Sequence, residues 1–275
     1  MQPAQIPEHG VGDKVYFSNG RREWVIAEKG DDVVWRRTGN RTYTRSSNFL
    51  IPDREWESET RLSKHLMDLD PELLWPLKRG NEARYRVQVS YLDKATGSQS
   101  FYDRVWDCEV DGAETLSVFA GTFDTYRITC KRYSLKGRMY QRRVWHYAPE
   151  IGHFVSRWDD YAGKRISSLE MTAYQPFVNG MDREWQQGYW KNLRMALEKN
   201  LAGRAQSWSD KAAGTKVTIT PVRTMKTANG IYCRNYRVDI VMKGKGRKGA
   251  GLACRDGKGY WKIPKSIRPD RGVKF

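Results

Sequence analysis

Four cysteines are the residues whose type and spacing most readily suggest chemistry. They form two pairs, Cys108 with Cys130 and Cys233 with Cys254, and each pair spans about twenty positions. Each pair lies on two neighbouring strand-like segments, where a disulfide across a hairpin or meander is sterically reasonable. Closing a loop of this size stabilises a fold by about 3 kcal/mol. The alternative interpretation is four reduced, buried thiols in a cytosolic protein.

Other residues that could bind a metal or catalyse a reaction form no recognisable arrangement. Neither cysteine pair has C-x-x-C spacing, and no histidine stands at zinc-finger spacing, which disfavours a zinc site. His153 follows Glu150, but only His146 is near it in sequence, and no Ser or Cys nucleophile is placed with them. His9 and His65 have no partners that spacing reveals. We therefore expect no metal, no cofactor and no enzymatic activity.

Basic residues concentrate in the C-terminal third of the chain. Residues 182–275 contain 22 Lys and Arg against 7 Asp and Glu, and the formal charge of the whole chain is +17. This asymmetry indicates an anionic partner, although a merely solvated basic face is the alternative. A flexible basic turn at 243–251 is the most charged stretch. We predict that the ligand contacts Lys243, Lys245, Arg247, Lys248, Arg255 and Trp261.

The elements that position these residues are predicted to be mainly β. At the N-terminus, Asn19-Gly20 between strand-formers is a strong hairpin signal. Four short strands in about forty residues predict a small SH3-like barrel over residues 10–52. Residues 53–72 are charged, and Leu62 and Leu66 are four apart, so we predict a partly helical linker there.

The middle segment, residues 73–172, is predicted to be an antiparallel meander. Tyr85, Val87 and Val89 alternate with polar residues, as expected for a strand with one buried face. Cys108 and Cys130 each lie on the apolar face of their own predicted strand. That placement allows them to meet inside the domain, and it also fits two reduced core thiols.

A linker helix is predicted over residues 182–203. Asp182 is a suitable N-cap and Gly203 a suitable residue after the helix. One apolar stripe runs at intervals of four residues, through Trp185, Tyr189, Leu193 and Leu197. We expect this stripe to dock on a sheet, and a membrane-surface role is the alternative.

A small β domain is predicted over residues 204–264, followed by a basic tail at 265–275. Its central strand has an apolar face formed by alternate residues from Tyr236 to Met242, and Pro221 ends the strand before it. Cys233 has the opposite parity to that apolar face. We therefore predict a peripheral disulfide that holds the ends of the basic hairpin.

Two motifs of the middle segment resemble signatures of bacterial envelope domains of unknown function. They are AGTFDTY at 120–126 and YAPEIGHFV at 147–155. The resemblance is to the DUF3108 and TapB-like group and spans about residues 74–172. It implies a curved antiparallel sheet in an exported protein, and it implies no reaction.

An ordered set of motifs in the C-terminal third resembles a second family. It comprises ALE at 196–198, Trp208, TPVRT at 220–224, YCRNY at 232–236, GLACR at 251–255, Gly257 and Trp261. The set is similar to the surface-antigen family first named from rickettsial outer-membrane lipoproteins. The resemblance implies an exported envelope domain with a Cys233–Cys254 disulfide, and it provides no catalytic residues. The lipidated cysteine and glycine zipper of the short lipoproteins are not present in this sequence, and the basic turn is longer and richer in Lys.

The combined prediction is a non-enzymatic, exported cell-envelope protein. Its partner is expected to be an anionic envelope polymer (peptidoglycan, lipopolysaccharide or an anionic lipid surface) or a protein of an envelope assembly. We expect a periplasmic or outer-membrane location, with a signal peptide removed. The sequence contains no run of about 18 apolar residues that could span a membrane as a helix. The alternatives are a nucleic-acid-binding protein and an envelope glycan-acting enzyme.

Overall fold

Antiparallel β-strands make up most of the computed structural model, which describes residues 1–68, 72, 74–227 and 229–267. The described residues contain one α-helix, α1 (Arg183–Lys199), and a 3₁₀ turn at Val178–Gly180. The strands of the first half are β1 (Lys14–Phe17), β2 (Arg22–Lys29), β3 (Asp32–Arg37), β4 (Arg41–Ser46), β5 (Glu55–Glu57), β6 (Arg61–Met67), β7 (Glu82–Asp93), β8 (Gln99–Val118) and β9 (Gly121–Tyr133). Those that follow are β10 (Met139–Ala148), β11 (His153–Asp160), β12 (Ile166–Gln175), β13 (Gln206–Asp210), β14 (Thr215–Lys226), β15 (Tyr232–Met242), β16 (Lys245–Arg255) and β17 (Trp261–Lys262). The prediction of a mainly β protein is confirmed.

The chain divides into two compact units. The first unit contains Met1–Gly10, Val25–Leu116 and Phe123–Leu169. The second unit contains Val11–Trp24, Ser117–Thr122 and the chain from Glu170 onward. Each unit is therefore assembled from segments that are distant in sequence.

The first unit is a succession of antiparallel ladders between strands that follow one another in the chain. β3 to β8 are joined in order, and β9, β10 and β11 form a further run. Alternate residues of β7 and β8, such as Tyr85, Val87 and Trp106, are buried. This is the period-two pattern that one buried face imposes, and it agrees with the alternation predicted for Tyr85, Val87 and Val89.

The predicted helical linker at 53–72 is wrong over its described residues. β5 and β6 occupy Glu55–Glu57 and Arg61–Met67, where they pair with each other and with β4 and β7. Leu62 and Leu66 also share a face in a strand, since four is a multiple of two as well as close to a helical turn. The spacing of Leu62 and Leu66 alone therefore does not distinguish a helix from a strand. Residues 69–71 lie outside the described residues.

The separate SH3-like module at 10–52 is not confirmed. All four of its predicted strands exist as β1 to β4, and the turn at Asn19-Gly20 joins β1 to β2. Residues 11–24 nevertheless belong to the second unit, where β1 pairs with β12, and residues from Val25 onward belong to the first. The strand signals were correct, but β1 has a second partner, β12, from a distant part of the chain.

In the second unit, α1 packs on one face of a sheet. β13 to β17 form consecutive antiparallel ladders, and β16 also pairs with β12. The buried helix stripe consists of Trp185, Tyr189, Leu193 and Leu197, and it packs with Val217, Ile219, Tyr236, Val238 and Ile240 of the sheet. The docking predicted from the helical periodicity is confirmed.

The predicted start of α1 is confirmed, and its predicted end is not. The Asp182 carboxylate accepts a 2.8 Å hydrogen bond from the Trp185 amide, as an N-cap does. The C-terminal prediction was wrong, because the helix ends at Lys199 and an extended Asn200 follows it. Gly203 lies further on in a turn, where its amide donates to the Pro221 carbonyl.

Pro221 does not end its strand as predicted. β14 continues through it to Lys226, and the register with β15 shifts between Pro221 and Arg223. A β-bulge of this kind accommodates a residue that cannot donate to the ladder. The longer β14 extends the sheet beside the start of β15.

Candidate functional site

The predicted basic turn is mostly strand. Only Lys243 and Gly244 form the turn between β15 and β16, and both have positive φ, 48° and 82°, as a type I′ hairpin turn requires. β16 begins at Lys245, which pairs with Met242. The side chains of Lys243, Lys245 and Lys248 are exposed, so three of the six predicted binding residues lie on an accessible hairpin.

Arg247 is held by its own fold and is not free on the surface. Its Nη2 lies 2.7 Å from Asp13 Oδ2 and 2.6 Å from the Tyr174 hydroxyl. The Tyr174 hydroxyl in turn donates to Asp13, and the Phe177 amide donates to the other oxygen of the same carboxylate. Asp13 is fully buried, so Arg247 serves first as the counter-charge of a buried aspartate.

Arg255 and Trp261, also predicted to bind ligand, converge on Glu198 of α1. Arg255 Nη2 lies 2.6 and 2.7 Å from the two Glu198 oxygens, and the Trp261 indole N–H donates to Oε2 at 2.7 Å. The indole bond and then Arg255 hold the pKa of Glu198 below its usual value. The structure thus brings these two residues together, with a carboxylate that the prediction missed.

A cleft of about 330 Å³ opens beside this cluster. Its lining combines basic and aromatic side chains from one face of α1 and from the end of the sheet: Lys191, Arg194, Met195, Glu198, Lys199, Gly259, Tyr260 and Trp261. Lys191, Arg194 and Lys199 make no ion pair with any described residue. We call this set of residues the cationic cleft.

The helix and one tight turn position the lining of the cationic cleft. Lys191 and Arg194 are three residues apart and so lie on the same side of α1. On the facing wall, Asp256 accepts hydrogen bonds from the amides of Lys258 and Tyr260, both at 2.9 Å. This turn leaves the Tyr260 ring 58% exposed while Trp261 is 8% exposed. The aromatic wall is therefore a fixed surface with an accessible ring.

The residues predicted to contact the ligand did not include Lys191, Arg194 or Lys199 of the cleft, and they did not include Glu198 or Tyr260. The helical spacing of the cations was a usable signal. The glutamate gave none, because its partners Arg255 and Trp261 lie 57 and 63 positions away. Arg255 is engaged with Glu198, whereas the three helix cations make no ion pair within the described part of the chain and are available to a ligand.

Both predicted disulfides are formed, Cys108–Cys130 and Cys233–Cys254. Cys233 and Cys254 face each other in the β15–β16 ladder, at the end opposite to the turn. The predicted peripheral position was wrong, because Cys233 is fully buried with Phe119 and Leu252. Residues 117–122 belong to the second unit and cover this face, where Asn235 donates to the Phe119 carbonyl at 2.7 Å.

Comparison with known proteins gives a match for the C-terminal region. Residues 195–262 match the family described as 17 kDa outer membrane surface antigen. The 17 kDa surface antigen of Rickettsia bellii is 33% identical over 84 residues, which are 30% of this chain and 53% of that protein. The 17 kDa surface antigen of Rickettsia prowazekii is 34% identical over 68 residues, 25% of this chain and 43% of that protein. The chain spans about half the length of the curated relatives it matches.

These matches confirm the resemblance noted in the C-terminal motifs, and the resemblance of the middle segment stays a prediction. Among solved structures, the hypothetical lipoprotein YmcC from Escherichia coli K12 aligns with a TM-score of 0.42 and 10% identity, over 58% of this chain and 82% of that one. Within the described residues, no helix combines the length and apolar character needed to cross a bilayer.

Proposed function

We propose that this chain is a non-enzymatic bacterial cell-envelope protein, exported to the periplasm or cell surface, whose second unit binds an anionic envelope polymer. The cationic cleft is the observation that carries the proposal. Its three helix cations have no acidic partner among the described residues, and an exposed tyrosine stands beside them. Unpaired cations next to an accessible ring suit a ligand that has both negative charge and a flat apolar face.

The chemistry of the cationic cleft fits acidic sugars and phosphorylated glycans. Arg194 offers a planar fork of donors for a carboxylate or phosphate, and Lys191 and Lys199 add mobile point charges. Tyr260 presents an aromatic face on which a sugar ring can pack. Glu198 does not oppose such a ligand strongly, because Arg255 and Trp261 already engage its oxygens.

Two further observations support an envelope location. Disulfides persist in oxidising compartments such as the bacterial periplasm and cell surface, and each unit of this chain contains one. The curated relatives are named as surface antigens, and the matched region, 195–262, includes Met195, Glu198, Lys199 and the aromatic wall of the cleft.

Binding to three immobilised polymers, namely peptidoglycan, lipopolysaccharide and vesicles rich in anionic lipid, tests the proposal. We expect at least one to bind, with an affinity that falls as salt rises. Serine substitution of Lys191, Arg194 and Lys199 together should weaken that binding at least tenfold, and Tyr260→Ala should weaken it without changing the salt dependence. The predicted contribution of the hairpin is tested separately by serine substitution of Lys243, Lys245 and Lys248.

A control with the same change in net charge separates a site from a general charge effect. Lys29, Lys131 and Lys136 are exposed, and replacing all three with serine removes as many charges as the cleft variant does. Equal weakening by the cleft and control variants would refute the cationic cleft as a site. Co-purification with envelope proteins but no polymer binding would favour the assembly alternative.

Nucleic acid is a second candidate ligand, because a base could stack on Tyr260 while Arg194 contacts a phosphate. The same assay with single-stranded oligonucleotides distinguishes the two. Tighter binding of an oligonucleotide than of any envelope polymer at the same ionic strength, lost in the cleft variant, would replace the envelope proposal.

A further inference from the structure

Three arginines on adjacent strands of the first unit lie near a single buried carboxylate. Arg132 of β9, Arg143 of β10 and Arg157 of β11 surround one carboxylate, Asp159, which is 1% exposed. Strand pairing brings them together, because Arg143 lies opposite Asp159 in the β10–β11 ladder. Arg143 and Arg157 contact this carboxylate directly, and Arg132 is near enough to favour its ionised form.

The oxygens of Asp159 are already occupied. Gln141 Nε2 donates to Oδ1 at 2.6 Å, Arg143 Nε contacts the same oxygen, and Arg157 Nε lies 3.0 Å from Oδ2. Burial opposes its ionisation, but the charges of Arg143 and Arg157 outweigh that effect and lower its pKa. Asp159 is thus ionised at neutral pH and is a counter-charge for Arg143 and Arg157.

Arg132 is the member of the cluster with the least compensation. Its guanidinium lies 3.5 Å from the centre of the Trp106 ring, and Nη1 donates to Gln141 Oε1 at 2.8 Å. Its Nε is buried and has no hydrogen-bond partner among the described residues. Burial and the neighbouring Arg143 lower the pKa of Arg132 to about 9. A charged group that is this poorly satisfied is stabilised by an added anion.

The cluster is open to solvent on an aromatic side. Arg104 of β8 lies 4.3 Å from the centre of the Tyr102 ring and 4.8 Å from that of Tyr140. Tyr102, Arg104, Arg132 and Tyr140 are all partly exposed, and Tyr140 is close enough to influence Arg132 electrostatically. Arg143 and Arg157 keep 15% and 17% of their side-chain surface exposed, so the cluster is not sealed from solvent.

We infer that Arg132, Arg143 and Arg157 form an oxyanion site in the first unit, which takes the phosphate group of a small ligand between the buried guanidinium groups and the Tyr102 and Tyr140 rings. Arg132, which makes no ion pair with any described residue, and its neighbour Arg143 supply the positive charge that a phosphate group needs. Guanidinium forks and phosphate oxygens also have matching geometry.

Titration of the full chain with inorganic phosphate, with sodium chloride holding ionic strength constant, tests this site. We expect phosphate to raise the thermal unfolding temperature of the native protein, since a ligand that binds only the folded state stabilises it. Arg132→Met should weaken phosphate binding at least tenfold. Lys131→Met is the matched control, because Lys131 is the exposed neighbour on the same strand, and it should bind phosphate within twofold of the native protein.

Two results would overturn the site. One is a native protein that gains no stability from phosphate beyond that from chloride, and the other is an Arg132→Met protein that binds phosphate within twofold of the native chain. Acetate bound as tightly as phosphate would refute the assignment of a phosphate group.

A spectroscopic readout keeps the test valid if Arg132→Met does not fold. Phosphate at Arg132 should change the fluorescence of Trp106, which the guanidinium contacts, and Trp106→Phe should remove that change. In the native chain, an emission unchanged by saturating phosphate, or a change that persists in Trp106→Phe, would contradict binding at Arg132.

Discussion

At the scale of single residues, Arg247 shows that the basic residues of one strand can have different roles. Its neighbours Lys245 and Lys248 are exposed, whereas Arg247 contacts a carboxylate with no solvent exposure. A buried aspartate that loses its counter-charge is costly, because its ionised form is no longer solvated by water or by a cation. The identity of residue 247 should therefore matter for stability.

We predict that Arg247→Met destabilises the protein by about 3 kcal/mol, the usual effect of removing one partner of a buried ion pair. Urea unfolding followed by circular dichroism measures this loss. Lys248→Met, one residue along the same strand, should change stability by less than about 0.5 kcal/mol. Similar small effects of both substitutions would show that Arg247 has no structural role.

Asp13 and Arg247 also show why part of the site could not be predicted. They are 234 positions apart, and no periodicity relates them. By contrast, the spacing of the cysteines on neighbouring predicted strands suggested both disulfide pairs that are formed, although the parity of Cys233 predicted the wrong burial. Local patterns predict neighbours in a hairpin, but they contain no information on which distant segment covers a given face.

At the scale of elements, the glycines of β16 act as packing residues. The sequence suggested a flexible loop, but Gly249 and Gly251 lie within the strand, where β12 passes against β16. A Cβ atom at Gly251 would lie 2.5 Å from the Tyr236 hydroxyl and 2.9 Å from Cβ of Ala173. A Cβ atom at Gly246 would meet nothing within 4 Å.

We predict that Gly251→Ala destabilises the protein by about 1–3 kcal/mol through overpacking. Gly246→Ala lies in the same strand and should be neutral or slightly stabilising, since Gly weakens a strand interior. Thermal unfolding of the two variants under identical conditions gives the comparison. Equal unfolding temperatures would mean that β12 and β16 do not approach each other as closely as described.

Most elements followed from local sequence signals, and the errors have a common cause. Alternation identified β7, and the helical stripe identified α1. The described part of the predicted linker at 53–72 was misassigned because Leu62 and Leu66 fit both a helical and a strand period. The SH3-like module was inferred from four correct strands, but a strand signal does not specify the partner strand.

At the scale of the whole molecule, two half-buried histidines link stability to pH. Burial lowers the pKa of His65 and of His146 below the usual value, despite contacts with the Asp53 carbonyl and the Glu114 carboxylate that act in the opposite direction. The folded chain therefore binds fewer protons than the unfolded chain near pH 6.5. Stability from these groups is present above the unfolded-state pKa and is lost as the pH falls through it.

We predict a lower unfolding temperature at pH 5.5 than at pH 7.5. His65→Gln and His146→Gln should each reduce that difference, whatever their effect on stability at pH 7.5, because each removes one titrating group. Calorimetry at several pH values measures the slope. A slope unchanged in both variants would assign the pH dependence to other groups.

Because Cys233 and Cys254 lie directly opposite each other, their disulfide can form only when β15 and β16 pair in the correct register. If β15 and β16 paired one residue out of alignment, Cys233 would face Ala253 or Arg255, and one sulfur would point to the other side of the sheet. Such molecules cannot close the bond and keep two alkylatable thiols. Molecules that contain the Cys233–Cys254 disulfide therefore have the correct β15–β16 register. Thiol labelling during refolding measures the fraction of chains in which this disulfide has not formed.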